Sequence, residues 1–416
     1  MAKQKSPPMP PVEPISPIDE APARNAYYDR VATRYRTAQY LTLFVLIAVL
    51  LAGLAVGSDS ITYANFVYLL RDFDTVLNAS GGDAVETIRY GTAEERQYLG
   101  YREGLALIDR RTVSVYNGAG KLTLDHAHGL DDPRAAASAQ YLLLYDLDGN
   151  TFSLYNSLSQ IYTETLDYPI SHGTISDSGL FAVTTKTRDY TSAVLLYGKN
   201  GKLKNRYLKD KYVLDVALSS DGRRIAIASV ESQNGAYLTE LQICEPGKDT
   251  ALATLSLPEV FPLAVRFFSN DSLALLCDGA IYFYNSRGEL QAEHAFAAEA
   301  PSRLALEGDM AALIFPNNVV GTESRAQLYT ADGELCGTYV LSGKAQQVLL
   351  TDDAVYLLTE HWLHRILPAS GAVATVEYAG GGKAILPADG SVLLCTASSA
   401  YRYDARRFRA AQEPPN

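Results

Sequence analysis

Tryptophan is almost absent from this chain: Trp362 is the only one among 416 residues, although there are 28 tyrosines and 12 phenylalanines. Tyrosine favours pleated, half-buried surfaces, where its ring packs and its hydroxyl reaches water or a partner. This aromatic balance is typical of a domain built from β-strands with many strand ends at the surface.

The sequence signatures of several common sites are also missing. The four cysteines show no C-x-x-C spacing, which argues against the common zinc and thioredoxin-like sites. We expect four buried free thiols, at Cys244, Cys277, Cys336 and Cys395, with one disulfide as the alternative. The G-x-S-x-G, S-x-x-K and H-E-x-x-H patterns of hydrolases do not occur either.

Positive charge is scarce outside the N-terminus. The whole chain has a net charge of −11, but residues 1–38 carry six basic and four acidic side chains. Residues 39–416 therefore carry 30 basic and 43 acidic side chains, a net charge of −13. Because nucleic-acid binding depends on faces rich in cations, we expect no nucleic-acid partner.

One long apolar run lies near the start of the chain. Residues 41–57, LTLFVLIAVLLAGLAVG, are uncharged, and with the two preceding residues they approach the ~20 that span a bilayer as a helix. Three arginines lie shortly before it, namely Arg30, Arg34 and Arg36. By the positive-inside rule we predict a transmembrane helix over residues 39–57, with the N-terminus cytoplasmic and the remainder extracytoplasmic. A cleaved signal peptide is the alternative.

The segments that flank this run have different expected structures. Residues 1–38 include the proline-rich stretch SPPMPPVEPISP and are predicted to form a disordered cytoplasmic tail. Residues 58–81 are predicted to contain a short stalk helix. Its apolar residues at helical spacing are Phe66, Leu69, Leu70, Phe73, Val76 and Leu77.

A tyrosine followed four residues later by a glycine recurs through the rest of the chain. The clear copies are VSVYNGAGK, VLLYGKNGK, YFYNSRGE and AQLYTADGE, with Tyr116, Tyr197, Tyr284 and Tyr329. Degenerate copies occur at Tyr155, Cys244, Leu367 and Tyr403. The eight positions are 36 to 47 residues apart, so the sequence has an internal period near 40.

Each repeat contains the pattern of four strands. Ahead of most tyrosine positions lie two apolar strands joined by a polar turn, as in DVALSSDGRRIAIAS (215–229). Asp-Gly and Asn-Gly pairs mark the hairpins, where positive φ is needed. A four-stranded antiparallel unit of this length is typical of a β-propeller blade. We predict an all-β propeller over residues 82–408 and a tail over residues 409–416. It has eight blades, or seven if one degenerate copy is not a blade.

The two ends of the repeat region complement each other. The last repeat lacks its own outer strand, whereas residues 86–91 (ETIRYG) precede the first complete repeat. We expect the N-terminal strand to pair into the last blade, because this would close the ring and cover its open edges.

The recurring tyrosines allow two interpretations. They could form a stacking ladder for sugars or peptides, or they could pack between blades. We favour packing, because a residue found once per blade at the same strand end most simply contacts the neighbouring blade.

In the stretch SSDGRRIAIAS (219–229), the chain resembles extracytoplasmic propellers of the quinoprotein-like and surface-layer-repeat kind. In its layout of basic tail, single span and tyrosine-rich repeats, it is similar to an uncharacterised Firmicutes family of membrane-anchored propeller proteins. The resemblance implies topology and no particular activity. The tryptophan docking motif of quinone-dependent dehydrogenases is absent from the sequence, as are the Gly-His and Trp-Asp pairs of Trp-Asp propellers.

Histidines offer little for a metal site. His126 and His128 would share one strand face beside Asp125, which could hold a metal weakly, but we favour an ordinary polar strand face. His361 and His364 would face opposite sides of a strand and so could not share an ion.

Two loops resemble binding motifs only in part. Residues 146–150 (DLDGN) begin like a calcium loop but lack the later ligands and the distal glutamate, so we predict a hairpin turn. Residues 378–384 (YAGGGKA) lack the phosphate-cradling order of glycine, lysine and hydroxyl, so we predict an interblade loop.

From these patterns we assign no catalytic, cofactor-binding or metal-binding residue and no cofactor. We predict a non-catalytic binding or scaffold module, anchored in the lipid bilayer through residues 39–57, whose partner is an envelope protein or a cell-wall component. An enzyme with its site at the central channel is one alternative, since propeller sites draw single residues from several blades. A subunit needed to assemble an envelope complex is the other.

Overall fold

A computed structural model describes residues 35, 39–44, 86–248, 250–269, 271–296, 300–318, 320 and 322–410 of the chain. Residues 39–44 are helical. Most of the predicted span, the stalk segment 58–81 and nearly all of the N-terminal tail therefore lie outside the described residues. Among those that are described, no helix has the length and apolar character needed to cross a membrane.

Eight antiparallel sheets follow one another along residues 86–410. Blade 1 contains β2 (Arg96–Tyr101), β3 (Gly104–Asp109), β4 (Thr112–Tyr116) and β5 (Leu122–Ala127), and blade 2 contains β6 (Pro133–Ala137), β7 (Leu142–Asp146), β8 (Thr151–Tyr155) and β9 (Gln160–Thr165). Blade 3 contains β10 (Ile170–Ile175), β11 (Phe181–Thr185), β12 (Ser192–Tyr197) and β13 (Leu203–Lys209), and blade 4 contains β14 (Tyr212–Leu218), β15 (Ile225–Gln233), β16 (Ala236–Cys244) and β17 (Ala251–Pro258).

The second half of the ring repeats this arrangement. Blade 5 contains β18 (Pro262–Phe267), β19 (Leu273–Cys277), β20 (Ala280–Tyr284) and β21 (Leu290–Ala295), and blade 6 contains β22 (Arg303–Glu307), β23 (Met310–Pro316), β24 (Glu323–Thr330) and β25 (Leu335–Ser342). Blade 7 contains β26 (Gln347–Leu350), β27 (Val355–Leu358), β28 (Trp362–Leu367), β29 (Ala372–Glu377) and β33 (Arg409–Ala410). Blade 8 contains β30 (Ala384–Ala388), β31 (Ser391–Cys395), β32 (Ser399–Asp404) and β1 (Thr87–Arg89), and a 3₁₀ turn spans Ala405–Arg407.

The first strand of each blade lies at the inside of the ring. These inner strands contact one another in succession, in the order β2, β6, β10, β14, β18, β22, β26 and β30, and β30 contacts β2 again. The sheets therefore form a closed eight-bladed propeller around a central channel. The predicted all-β propeller with eight blades is confirmed, and the seven-bladed alternative is wrong.

The N-terminal strand closes the ring as expected. Thr87, Ile88 and Arg89 pair antiparallel with Tyr401, Ala400 and Ser399, so β1 becomes the outer strand of blade 8. Ile88 is buried. Strand β33 then pairs with the outer edge of blade 7, with Thr375 opposite Arg409. Both ends of the repeat region are thereby paired to neighbouring strands.

The recurring tyrosines pack between blades. Tyr155, Tyr197, Tyr284 and Tyr329 are all buried. Tyr284 of blade 5 belongs to a cluster that also contains Ala228 and Leu241 of blade 4. In the five blades whose outer hairpin carries this tyrosine, the register shifts at it, for example between Phe283 and Tyr284. The packing interpretation therefore describes the structure, and the buried rings are not a stacking ladder on the surface.

The glycine of the motif meets two requirements at once. Gly288 has φ of 80°, which a residue with a side chain rarely adopts, and its N–H donates to the Asn285 carbonyl at 2.9 Å. A Cβ at Gly288 would lie 2.7 Å from the Cβ of Ala253 in blade 4. The tight turn and the close approach of the preceding blade both require glycine here.

Three of the four cysteines behave as small core residues. Cys244, Cys277 and Cys395 are buried and unpaired, and burial raises the pKa of the Cys277 and Cys395 thiols to about 12. Cys336 is free but exposed. The expectation that all four thiols are buried is wrong for Cys336, because it lies on an outer strand whose side chains alternate between the neighbouring blade and solvent.

Candidate functional site

The strand order gives the propeller two loop faces. Each inner strand runs toward a turn that leads into the second strand, and we call the side with these turns the first-turn face. Each second strand runs back to a turn at the opposite side, where the next inner strand also begins. We call this side the second-turn face.

Carboxylates crowd the first-turn face. Each blade has one turn that joins its inner strand to its second strand, and seven of these eight turns carry at least one acid in the turn or at the end of the inner strand. These acids, which we call the acidic rim, are Glu103, Asp177, Asp221, Asp271, Glu307, Asp309, Asp352, Asp353 and Asp389. Only three basic side chains occupy the same turns, namely Arg102, Arg223 and Arg224. The rim therefore concentrates the negative charge that the sequence shows as an overall excess.

A concave pocket of about 890 Å³ opens at this rim. Turns of blades 1, 5, 6, 7 and 8 line it, and the carboxylates among them include Glu103, Glu307, Asp309, Asp352 and Asp389. Arg102 is also in the lining. The pocket is large enough to receive several side chains of a partner.

Glu307 of blade 6 is affected by carboxylates from two other blades. Burial raises its pKa, and the carboxylates of Asp352 in blade 7 and Asp177 in blade 3 raise it further. Water still reaches the residue. A carboxylate that is crowded by protein and by other carboxylates, yet open to solvent, favours the arrival of a positive charge.

Hydrogen bonds between blades hold the rim in place. Asp177 accepts the Ala139 N–H from blade 2 at 2.7 Å and the Ser220 hydroxyl from blade 4 at 2.6 Å. The Ser269 N–H of blade 5 donates to the Gly308 carbonyl of blade 6 at 2.9 Å. Because the turns are fixed to each other, their charges are oriented before any ligand arrives.

The inner strands carry a second polar feature, a set of side chains that join neighbouring blades. The Gln97 amide donates to the Pro133 carbonyl at 3.3 Å and accepts the Ala135 N–H at 3.1 Å. Similarly, the Gln347 amide donates to the Ile385 carbonyl at 3.0 Å and accepts the Ile385 N–H at 2.7 Å. These contacts satisfy backbone groups that an apolar seam would leave unpaired.

The most strongly charged of these seams lies between blades 3, 4 and 5. Asp215 is 4% exposed and lies 2.6 Å from Nη1 of Arg266 and 3.2 Å from Nε2 of His172. Burial lowers the pKa of His172, the Asp215 carboxylate opposes this shift, and Arg266 adds to it. His172 Nε2 is a buried nitrogen without a hydrogen-bond partner among the described residues, so its contact with Asp215 is electrostatic.

Comparison with known proteins places the chain in a family. The sequence pattern of a family described as "Family of unknown function (DUF5711)" matches residues 80–395. The chain belongs to this family. The match covers the propeller as far as the end of β31 and does not extend to the predicted span. No curated protein sequence matches the chain.

Solved structures with the same fold are distant in sequence. BamB from Moraxella catarrhalis is 12% identical, with a TM-score of 0.52, and the alignment covers 78% of this chain and 98% of that one. A eukaryotic initiation factor is 10% identical, with a TM-score of 0.51, and the alignment covers 74% of this chain and 82% of that one. At such identities the likeness shows the fold alone.

The structure separates the histidines considered from sequence. His126 contacts the Tyr155 hydroxyl at 3.1 Å, whereas His128 Nε2 contacts the Asp109 carbonyl at 2.9 Å. His361 is exposed in a turn, and His364 is buried with Nε2 2.8 Å from the Ser342 carbonyl. Among the described residues, no group of three His, Cys, Asp or Glu side chains could hold a metal ion.

The two motif-like loops have structural roles. Residues 146–150 form the hairpin between β7 and β8, and Asp146 accepts the N–H groups of Asp131 and Asp132 at 3.1 and 2.8 Å. Residues 378–384 connect blade 7 to blade 8. Both loops are what the sequence analysis predicted.

Sequence reasoning missed the inner polar seams, although a signal was present. When the repeats are superposed by strand pairing, one inner-strand position is polar in most blades. Its occupants there are Gln97, Arg134, His172, Asp215, Arg303 and Gln347. A polar residue that recurs in an otherwise apolar strand would have indicated a seam contact.

Proposed function

We propose that this chain is a non-catalytic binding module that receives a basic segment of a protein partner at its acidic rim. The observation that carries the proposal is the pocket at the rim, where Glu103, Glu307, Asp309, Asp352 and Asp389 converge from blades 1, 6, 7 and 8. A lysine or arginine placed there would relieve the repulsion between these groups.

The geometry of the acidic rim suits recognition of a partner that stays in contact with water more than complete burial of a ligand. The rim is broad, pre-oriented and open to water, so charge complementarity would steer the partner and select against acidic competitors. The affinity should therefore fall as salt screens the rim. An electrostatic site of this kind fits a docking or scaffold role.

The location of the module is part of the proposal. We place the propeller outside the cell membrane, tethered by a single-pass helix over residues 39–57, with an envelope protein as its partner. The uncharged run at 41–57 and the arginines before it support this placement.

Catalysis in the channel is the second candidate, and one observation favours it. His172 Nε2 lies 3.2 Å from the buried carboxylate of Asp215 without a hydrogen bond between them, and an imidazole beside a carboxylate can act as a general base once a substrate aligns it. An activity that is lost in His172→Ala while the fold is retained would establish this candidate instead.

The test uses the full-length chain in its native membranes. Cells would carry either the wild type or the variant E307K/D352K, and proteins crosslinked to each would be identified by mass spectrometry. The matched control is E94K/E95K, which reverses the same number of exposed charges beside blade 1, away from the rim.

The expected result is one envelope protein recovered with the wild type and the control, lost in the rim variant and weakened by salt. Equal recovery with the rim variant would overturn the proposal.

A further inference from the structure

Blade 4 carries a hairpin that is longer than the propeller needs. Strands β15 and β16 each have nine residues, and the inner strand pairs only as far as Tyr212 opposite Val230. The hairpin continues beyond this point to a tip at Asn234-Gly235, where both residues have positive φ. It therefore projects from the second-turn face, opposite the acidic rim.

An aromatic ring near the tip of this projection packs against a ring in the linker between blades 4 and 5. Tyr237 is 53% exposed, and its ring packs edge-to-face on Phe261, with centroids 5.3 Å apart. Phe261 is fixed by its N–H, which donates to Asp278 Oδ1 at 3.0 Å. Glu259 adopts φ of 61°, a strained value for a residue other than glycine, and its N–H donates to the Tyr237 carbonyl at 2.8 Å.

Bulges in two inner strands turn leucines outward beside these rings. The register of β14 shifts between Val213 and Asp215, and that of β18 shifts between Pro262 and Ala264. The bulged residues, Leu214 and Leu263, are 36% and 49% exposed. A bulge re-aims a side chain, and here it moves a leucine out of the core in each of two adjacent strands.

The two leucines lie on inner strands, β14 and β18, that contact each other across the seam between blades 4 and 5. Asp215 follows Leu214 and accepts the N–H of Val265, two residues after Leu263, at 2.8 Å. Tyr212, which is 64% exposed, precedes Leu214 by two residues. Single exposed apolar side chains are normal, but a continuous group of them marks an interaction surface. We call Tyr212, Leu214, Tyr237, Phe261 and Leu263 the apolar patch.

The charges bordering the patch are negative. The exposed residues Glu259 and Asp278 flank Phe261. Lys211 is held by Glu240 and by Glu231 at 2.6 and 3.3 Å, and Arg266 is held by Asp215. Aromatic rings next to carboxylates suit the ammonium or guanidinium head of a side chain with an apolar stem.

We propose that the apolar patch is a docking site for a protein segment in which leucine-like side chains are followed by a lysine or arginine. The apolar side chains would cover Leu214 and Leu263, and the cation would lie over Phe261 between Glu259 and Asp278. The site is on the opposite face from the acidic rim and does not depend on it. A module with both surfaces can join two partners.

The test measures binding of fluorescent synthetic peptides to the full-length chain by anisotropy. The first peptide carries two leucines followed by a lysine, the second replaces the lysine with glutamate, and the third replaces the leucines with serine. The variants are L263S and E259K, and the matched control is L252S on the outer strand of the same blade, where Leu252 is 46% exposed.

The leucine–lysine peptide should bind at least about tenfold more tightly than either of the other peptides. L263S should lose about tenfold in affinity, L252S should keep it, and E259K should favour the glutamate peptide. E307K/D352K should bind all three peptides as the wild type does, so failure of this inference and failure of the proposed rim site are distinguishable.

Three results would overturn the inference. One is equal binding of the serine peptide, and another is an equal loss in L263S and L252S. The third is a different occupant: a dimer of the chain in sedimentation, or binding to vesicles of anionic phospholipid, that L263S abolishes and L252S does not.

Discussion

The carboxylate of Asp215 accepts the backbone N–H of Val265 at 2.8 Å, and so one buried acid joins the inner strands of blades 4 and 5. The same carboxylate lies beside Arg266 and His172. Removing it would leave the buried N–H groups of Val265 and Val216 without this acceptor, whereas Arg266 would keep its hydrogen bond to the Val265 carbonyl. The seam is therefore specified by polar contacts in addition to apolar packing.

Asp215→Ala should lower the free energy of unfolding by roughly 1–3 kcal/mol, the cost of leaving buried N–H donors without an acceptor, and the ion pair adds little because the Arg266 side chain is 46% exposed. Asp215→Asn should cost less, because an amide oxygen can still accept the Val265 N–H. Urea unfolding of the fragment 82–416 measures both. Asp332→Ala on an exposed turn is the control and should change stability by less than about 0.5 kcal/mol. A loss in D215A no larger than that of D332A would show that the seam is held by other contacts.

The fold was largely predictable from sequence because each blade repeats the same local chemistry. Tyr284 and Gly288 recur as a pair since the ring must pack on the preceding blade while the turn must approach it closely. The closing strand was predictable for a similar reason: the last repeat lacked one strand, and ETIRYG preceded the first.

The surfaces were harder to predict because they depend on contacts between blades. Asp177 and Glu307 are 130 positions apart, and only the closed ring brings their charges within reach of each other. Leu214 and Leu263 read as core residues in apolar strands, and the bulges that expose them have no local signature. Exposure of Cys336 likewise depends on its place in an outer strand.

Tyr284→Ala should lower the free energy of unfolding by about 3–5 kcal/mol, the range for truncating a large buried aromatic side chain. Tyr284 is 5% exposed and packs on blade 4, so truncation leaves a cavity between two blades. Tyr190→Ala is the control, since Tyr190 is 39% exposed. Thermal unfolding measures both variants. An unchanged melting temperature in Y284A, combined with loss of a bound partner, would favour the stacking-ladder interpretation after all.

Removal of residues 399–416 should damage the propeller more than removal of residues 1–38. We expect the larger effect from the C-terminal deletion because β32 pairs with both β31 and β1. Its loss removes one strand of blade 8 and leaves the closing strand β1 without a partner. We expect the fragment 82–416 to unfold cooperatively and the fragment 82–398 to lose this cooperativity. Calorimetry compares the two, with deletion of 1–38 from the full chain as the reference. Equal melting of the fragments would contradict closure by β1.

Glu307→Gln should stabilise the propeller at neutral pH. The pKa of Glu307 is raised in the folded state, so folded protein holds a proton that the unfolded chain has already released. The wild type therefore loses stability as the pH rises above 4.5, the ordinary value for this carboxyl, and the variant does not. The gain should stay below about 1 kcal/mol, because water reaches this side chain and screens the charges.

Glu307→Gln also tests whether stability is linked to binding at the acidic rim. A lysine-rich peptide should raise the melting temperature of the wild type more than that of E307Q, because the cation relieves repulsion that the variant no longer has. Glu95→Gln removes one charge away from the rim and should respond to the peptide as the wild type does. If E307Q gained no stability at neutral pH, or if the peptide stabilised all three proteins equally, Glu307 would not be the point where the rim receives a positive charge.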